Sequence, residues 1–305
     1  MPAKINPSVF IHDMDRRALE NLKAIPGFTP LLRAFMKIYS SHTLKITNLS
    51  SKIHLSPEQC PRLYNLVVPI CEKFGIEVPD MYLEMDRSPN AYTAGDTETY
   101  VCITVTTGLL EIMDDRLVST VLAHEVGHIV CHHVLYHTMG SLLLEGGAAL
   151  LGLGPFFTEA INIAFAYWMR CSEFSADRCA AIYDGEPDSS IEVMMRFAGG
   201  SREVYDEINK DLFLAQAEDY FKYVDSSTWN KALEFWELRH HDHPFSAVRA
   251  REAYLFAQSK AFKNITDRLS GKEMVADKSH CPHCGAPLQP GHRFCKKCGK
   301  KVDED

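Results

Sequence analysis

The sequence predicts an α+β protein, mainly helical, with a small sheet and a separate cysteine-rich unit at its C-terminal end. Three observations carry that prediction. Apolar residues recur at helical spacing over positions 1–60, through the run at 114–130 and from about 190 to 265. Two short runs, 81–85 and 100–105, have the composition of strands. Beyond residue 280, four of the ten cysteines fall into two Cys-x-x-Cys-Gly runs.

Composition fits an enzyme of ordinary make-up. At 305 residues, 46% apolar and 24% charged, the chain can bury a good core and hold more than one domain. Its net charge of −8 gives no general attraction for nucleic acid or anionic membrane, so nucleic acid is not expected as a partner. Residues 1–30 carry charges throughout and lack the apolar segment of a signal peptide. The cysteines outside the terminal unit (Cys60, Cys71, Cys102, Cys131, Cys171, Cys179) mostly sit in apolar surroundings, and we expect reduced thiols in the cytoplasm.

Taken in order, residues 1–60 form a helical region, with an apolar pattern through Leu31, Leu32, Phe35, Met36, Ile38 and Tyr39 and no chemistry of its own. Ser56 is placed to cap a helix that opens on Pro57, has Gln59 in its first turn and stops at Gly75. The strands at 81–85 and 100–105 follow, joined by a turn-rich link over 90–97. Asp114 and Asp115 stand where an N-cap belongs, and Leu117, Val118, Val121, Leu122 and Ile129 make the core-facing stripe of the next helix.

That helix carries the chemistry. Residues 124–128 read His-Glu-Val-Gly-His, so His124 and His128 lie one turn apart on one face and can hold one metal ion. Glu125 is rotated slightly off that face, close enough to take a proton from a metal-bound water without ligating the metal. Gly127 is expected to leave room beside the metal. The arrangement points to a zinc hydrolase, most simply of peptide bonds. His132, His133 and His137, just beyond the motif, carry no expected role.

Two ligands are not enough. Position 134 is Val, not the third histidine of a metzincin, and Cys131 replaces the glycine expected at the intervening turn. Glu145, Glu159 and Glu173 remain as candidates. Glu145 precedes two glycines, which makes a fixed helical ligand hard to hold. Glu173 has Asp177 one helical turn on, and paired carboxylates on an apolar helix are costly unless matched by cations or metal. Glu173 as ligand and Asp177 as the group that orients a ligating histidine would satisfy both.

Val-Leu-Ala-His124-Glu125-Val-Gly-His128, Ser172-Glu173-Phe-Ser-Ala-Asp177-Arg178, and His243-Pro244 with Arg249 together resemble the HtpX-like and CAAX-prenyl-protease family of gluzincin zinc metallopeptidases. Residues 90–95 (Asn-Ala-Tyr-Thr-Ala-Gly), 101–105 and 107–110 resemble that family's segment upstream of the metal helix, so the likeness covers about residues 60–255. The resemblance implies zinc on His124, His128 and Glu173, with Glu125 as general base. It also implies His243, stiffened by Pro244 and supported by Arg249, as the donor to the oxyanion. In a gluzincin an edge strand above the metal takes the substrate backbone, which singles out Asn90 and Ala91.

Some relatives span membranes between the second histidine and the third ligand. Here Glu145, Glu159, Asn162 and the break at 152–155 interrupt the 142–169 interval, so a buried helical hairpin is expected in place of a span of about 20 apolar residues. A polar linker at 271–279 leads to the terminal unit at 280–301. There Cys281, Cys284, Cys295 and Cys298 form two knuckles of a zinc ribbon, each glycine permitting the tight turn. A unit so small needs a metal staple.

The reading is an N-terminal helical region (1–60), a zincin-like metallopeptidase domain (61–270) and the ribbon. Two zinc ions are expected, one catalytic and one structural. The substrate is polypeptide, and the ribbon suits a protein partner or a regulatory tail. Two alternatives remain: a zinc-binding scaffold or latent protease whose ribbon docks proteins, and a quality-control protease at the membrane surface.

Overall fold

The computed structural model describes residues 5–96, 99–144, 155–201, 203–239, 245–269, 294–297 and 299–301. Three helices open the chain, α1 (Asp13–Ala24), α2 (Phe28–Ile38) and α3 (Ser41–Ser51), followed by the short strand β1 (Ile53–Leu55). Next come α4 (Pro61–Phe74), β2 (Asp80–Glu84), β3 (Ala91–Asp96), β4 (Tyr100–Thr106) and α5 (Thr107–Ile112). The remaining helices are α6 (Asp115–Val130), α7 (Val134–Leu144), α8 (Pro155–Asp184), α9 (Asp188–Gly199), α10 (Lys210–Asp225), α11 (Thr228–Leu238), α12 (Ser246–Ala257) and α13 (Lys260–Leu269). The α+β, mainly helical class is the one expected.

Among the described residues the sheet has order β1-β2-β4-β3, with β2 and β4 parallel and the other pairs antiparallel. Two elements begin elsewhere than the sequence reading puts them. Ser56 does not start a helix at Pro57. Its hydroxyl accepts from the N–H groups of Glu58 and Gln59 in a closed turn after β1, and α4 opens on Pro61 behind Cys60 at φ +56°. The chain must reverse after β1 before α4 can pack, which that turn allows. The 90–97 stretch is likewise no loose link, because Ala91–Asp96 pairs with residues 100–105 of β4. Gly95 lets it do so: at φ +123°, a Cβ there would lie 2.1 Å from the Tyr100 carbonyl oxygen, a place only glycine can occupy.

One core lies between the sheet, α4, α6, α9 and α12, with Val67, Ile70, Ile103, Leu117, Val126 and Ile191 in it. A second lies under α1, α2, α7 and the first half of α8, centred on Phe28, Phe165 and Trp168. α1 and α2 are therefore packed onto α8, α3 lies against the sheet, and β1 belongs to the same sheet as β2. The N-cap Asp114 accepts from the Leu117 N–H at 2.9 Å, as a capping carboxylate should. α7 and the start of α8 pack on each other, and no helix among the described residues is long and apolar enough to cross a membrane. Residues 145–154, in the middle of the expected hairpin, and the linker at 271–279 lie outside the described residues.

Gly127 has a different use from the expected one. A Cβ there would lie 2.8 Å from Cys179 Cβ and 3.0 Å from Ala176 Cα, so the glycine makes room for α8, not for the metal. That close approach sets how near the carboxylates of α8 come to the histidines of α6. Gly127→Ala should therefore lower unfolding stability by about 1–3 kcal/mol through overpacking, measured as a drop in the denaturant midpoint.

Candidate active site

His124 and His128 sit one turn apart on α6, and Glu173 reaches them from α8. The two Nε2 atoms are 3.1 Å apart, and each lies 3.3 Å from a Glu173 carboxylate oxygen. Ligands around a tetrahedral zinc at about 2.0–2.1 Å are separated by about 3.3 Å, so three converging donors at this spacing fit zinc. Their identity, two imidazoles and one carboxylate, fits it too. Glu173 is only 2% exposed.

Behind the ligands stands a layer of charge. Asp177, one turn along α8, lies 2.9 Å from His124 Nδ1, as the spacing suggested. Its other partner is Arg249 of α12, which donates from Nε to Oδ2 at 2.8 Å and from Nη2 to Oδ1 at 2.6 Å. Arg249 Nη1 also reaches Glu173 at 3.0 Å. Arg249 is thus a buried clamp on two carboxylates, where the sequence reading gives it the support of His243. His240, His241, His243 and Pro244 lie outside the described residues.

The titration of these groups follows from that packing. Burial alone would lower the His124 pKa, but Glu173 and Asp177 lift it to about 10, because opposite charge outweighs desolvation there. Burial depresses His128 to about 4 against the pull of Glu173, with His124 and His133 adding to the depression. Asp177 is held below the usual carboxylate range, its burial outweighed by Arg249 and His124. In the metal-free protein the proton therefore rests on His124, and it must leave before that ring can donate a lone pair.

Glu125 is buried beside the ligands. Thr93 of β3 donates its hydroxyl to Glu125 Oε2 at 2.7 Å, which ties the carboxylate to the edge strand. Two cavities meet here, both lined by Asn90, Ala91, His124, Glu125 and Glu173. One runs under α9 to Val193, Met194 and Phe197, and the other along β3 toward Thr138. Asn90 turns its backbone inward, its N–H and C=O bonded to Thr106. Antiparallel alternation then turns the backbone of Ala91 and Thr93 outward, with that of Gly95. The Gly95 N–H and C=O are bonded to the Thr138 hydroxyl.

Three contributors were not legible in the motif. Thr93 reads as part of a turn. His133 reads as having no role, yet it is buried with its Nδ1 3.1 Å from His128 Nδ1. Asp15, in a region read as having no chemistry, lies 3.0 Å from His133 Nε2. His132, by contrast, is exposed past the end of α6 and does not continue the ligand face. In the terminal unit Cys281, Cys284 and Cys298 lie outside the described residues. Around Cys295, the Lys297 N–H points at its sulfur at 3.3 Å and Gly299 turns at φ +72°. Both features suit the tight turn of a Cys-x-x-Cys-Gly run.

A helix-borne His-Glu-x-x-His, a carboxylate from the next long helix and a sheet edge beside the glutamate define a zinc metallopeptidase of the gluzincin kind. The chain belongs to peptidase family M48, whose model matches residues 57–254, and a zinc-ribbon domain model matches residues 280–302. It is 29% identical over 266 residues to a plastoglobule-localized chloroplastic metallopeptidase 48 of Arabidopsis thaliana, covering 87% of this chain and 77% of that one. An HtpX protease homolog of Ralstonia nicotianae is 27% identical over 174 residues, 48% of this chain and 60% of its own length. Another, from a Sulfurovum species, is 32% identical over 146 residues, 41% of this chain and 53% of its own. The chain thus spans no more than three-fifths of those two HtpX homologs. No solved structure matches it. The protein is a hydrolase, a zinc-dependent metalloprotease of the HtpX-like kind.

The clamp makes a direct prediction. Arg249→Met leaves only protonated His124 to balance the buried Asp177 and Glu173, so metal-free protein should lose about 3–5 kcal/mol of stability, read by chemical denaturation.

Proposed function

We propose that the chain is an endopeptidase that cuts extended polypeptide laid along β3, with zinc held by His124, His128 and Glu173. The convergence of those three donors beside a glutamate that ligation alone does not need is the observation that carries the reading. When bound, zinc acidifies a water and polarises the scissile carbonyl. Glu125 takes the proton of the attacking water and passes it to the leaving amine. Thr93 holds one Glu125 oxygen by its hydroxyl, which fixes the carboxylate between water and leaving group. Asp177 keeps the His124 proton on Nδ1, so that Nε2 presents its lone pair, and Arg249 holds Asp177 in place. His243 is the proposed donor to the charge that develops on the former carbonyl oxygen.

Substrate recognition follows the two cavities. Outward backbone groups of Ala91 and Thr93 would pair with the substrate backbone, and the Asn90 side chain would meet it from the strand's start. The α9 cavity, walled by Val193, Met194 and Phe197, would take an apolar side chain next to the cut bond.

The ribbon would hold the second, structural zinc on Cys281, Cys284, Cys295 and Cys298, and would serve as a protein-docking or regulatory tail. We assign the enzyme to the cytoplasm, with peripheral contact at a lipid surface. Support for that contact comes from α11, where Trp229, Leu233 and Trp236 follow one another at helical spacing and are 69%, 49% and 63% exposed. Such an apolar stripe is what an interfacial helix presents to lipid. With a net charge of −8, the surface should favour uncharged lipid.

Zinc-replete wild type and Glu125→Gln should both bind metal, while cleavage of an unfolded model protein by the variant falls by at least about 10²–10⁴-fold. Metal content with equal cleavage by both proteins would remove Glu125 from the mechanism. For the lipid contact, wild type should float with phosphatidylcholine vesicles, and Trp229→Ser with Trp236→Ser should leave it at the bottom of the gradient.

A further inference from the structure

The two histidines of the motif are supported at different depths. His124 has its carboxylate, Asp177, in direct contact. At His128 the Nδ1 partner is another ring. His128 Nδ1 lies 3.1 Å from His133 Nδ1, and His133 Nε2 lies 3.0 Å from Asp15 Oδ2. His133 and Asp15 are each 1% exposed. Asp15 belongs to α1, 118 residues away from His133 in the chain and outside the stretch that matches the family model.

Only one set of ring protons suits both this chain of contacts and a ligand role for His128. With Nε2 presenting its lone pair to the metal, the His128 proton sits on Nδ1 and is donated to His133 Nδ1. The His133 proton then sits on Nε2 and is donated to Asp15. The Asp15 carboxylate also accepts from Trp168 Nε1 at 3.0 Å and from Ser175 Oγ at 2.6 Å, which fixes it in α1 against α8. The backbone is bent to make the contact. His132 adopts φ +60°, and this turn swings His133 back under His128. The left-handed conformation is unfavourable for a non-glycine residue.

A second metal ion among His128, His133 and His137 is the competing use of the same residues. It would require His128 to ligate through both nitrogens and so to lose its last ring proton. His137 Nε2 is already 2.7 Å from Ser172 Oγ, and His133 Nε2 is occupied by Asp15. The hydrogen-bonded relay uses both ring nitrogens of His133 and the Nδ1 of His128 without that loss.

We propose that Asp15 acts through His133 as a positioning residue for His128, so that docking of α1 and occupancy of the metal centre form one linked equilibrium. The proposal rests on the assignment of His124, His128 and Glu173 as ligands. Linkage is reciprocal: docked α1 raises metal affinity, and bound metal holds α1 in place. A region with no catalytic group thereby controls how tightly the enzyme keeps its metal.

The test uses the full chain loaded with cobalt(II) and titrated with dipicolinate. Thiolate-to-cobalt absorption marks the ribbon, and the weaker bands without it mark the histidine–carboxylate centre. Asp15→Asn and His133→Gln should each weaken cobalt binding at that centre by about 10–100-fold, the usual effect of removing a group that supports a ligand. In the His133→Gln background, Asp15→Asn should change it less than about 2-fold, because the two act in series. Ser175→Ala removes a donor to Asp15 but spares the relay, and should stay within about 3-fold of wild type. Amide exchange across Asp13–Ala24 should slow on loading in wild type and not in His133→Gln.

If both single variants bind within about 3-fold of wild type, or their effects add in full, the relay is wrong. A second cobalt without thiolate bands would overturn it in favour of the metal cluster. Should Asp15→Asn fail to fold, His133→Gln and the exchange measurement decide alone. If wild type takes up no cobalt outside the ribbon, the ligand assignment itself has failed. If wild type loads normally and the variants match it, only the relay falls.

Discussion

Glu173 and Asp177 are two carboxylates one turn apart on a helix that is otherwise buried in apolar side chains, and the rest of the site is arranged around making them tolerable there. Arg249 meets both from α12, His124 meets both from α6, and His128 meets Glu173. One buried guanidinium cannot balance two carboxylates and leave the pair neutral, so the metal-free site draws a proton onto His124. A divalent cation among the same donors would take over the role of that proton. The affinity for metal and the cost of burying the carboxylates are therefore two views of one electrostatic demand.

Helix packing turns that demand into geometry. α6 and α8 can approach closely because Gly127 has no side chain to strike Ala176 or Cys179. The approach sets the His–Glu spacing, and α12 then closes over α8 with Arg249. On the other side, β3 touches Glu125 through Thr93, so the strand proposed to align substrate also holds the base. The carboxylate proposed as the base is thus fixed by the edge strand, and the proposed ligands by helices behind it.

How much of this was readable depended on how local the signal was. The His124–His128 pair and the Glu173–Asp177 pair were legible because each rests on spacing within a single helix, where about 3.6 residues per turn translate directly into position. β3 was missed because Gly95 and Asp96 at its end and Asn90 just before it suggest turns, while its pairing with β4 is a tertiary fact. Asp15 and His133 were beyond reach for a related cause. A buried aspartate on α1 looks like any charged helical residue until α1 is placed against α8, and His133 comes under His128 only through the left-handed turn at His132.

The Thr138 hydroxyl, by engaging both the N–H and the C=O of Gly95, ends the free edge of β3 from within the protein. Any strand that joins this edge has a doorway of fixed width: it can run alongside Ala91 and Thr93 and must then bend away. A chain docked as proposed would be gripped over a short stretch beside His124 and Glu125, and the edge is denied to the open-ended strand stacking that leads to fibres. One hydroxyl thus gives the cleft an inner boundary and protects the sheet from recruiting copies of itself.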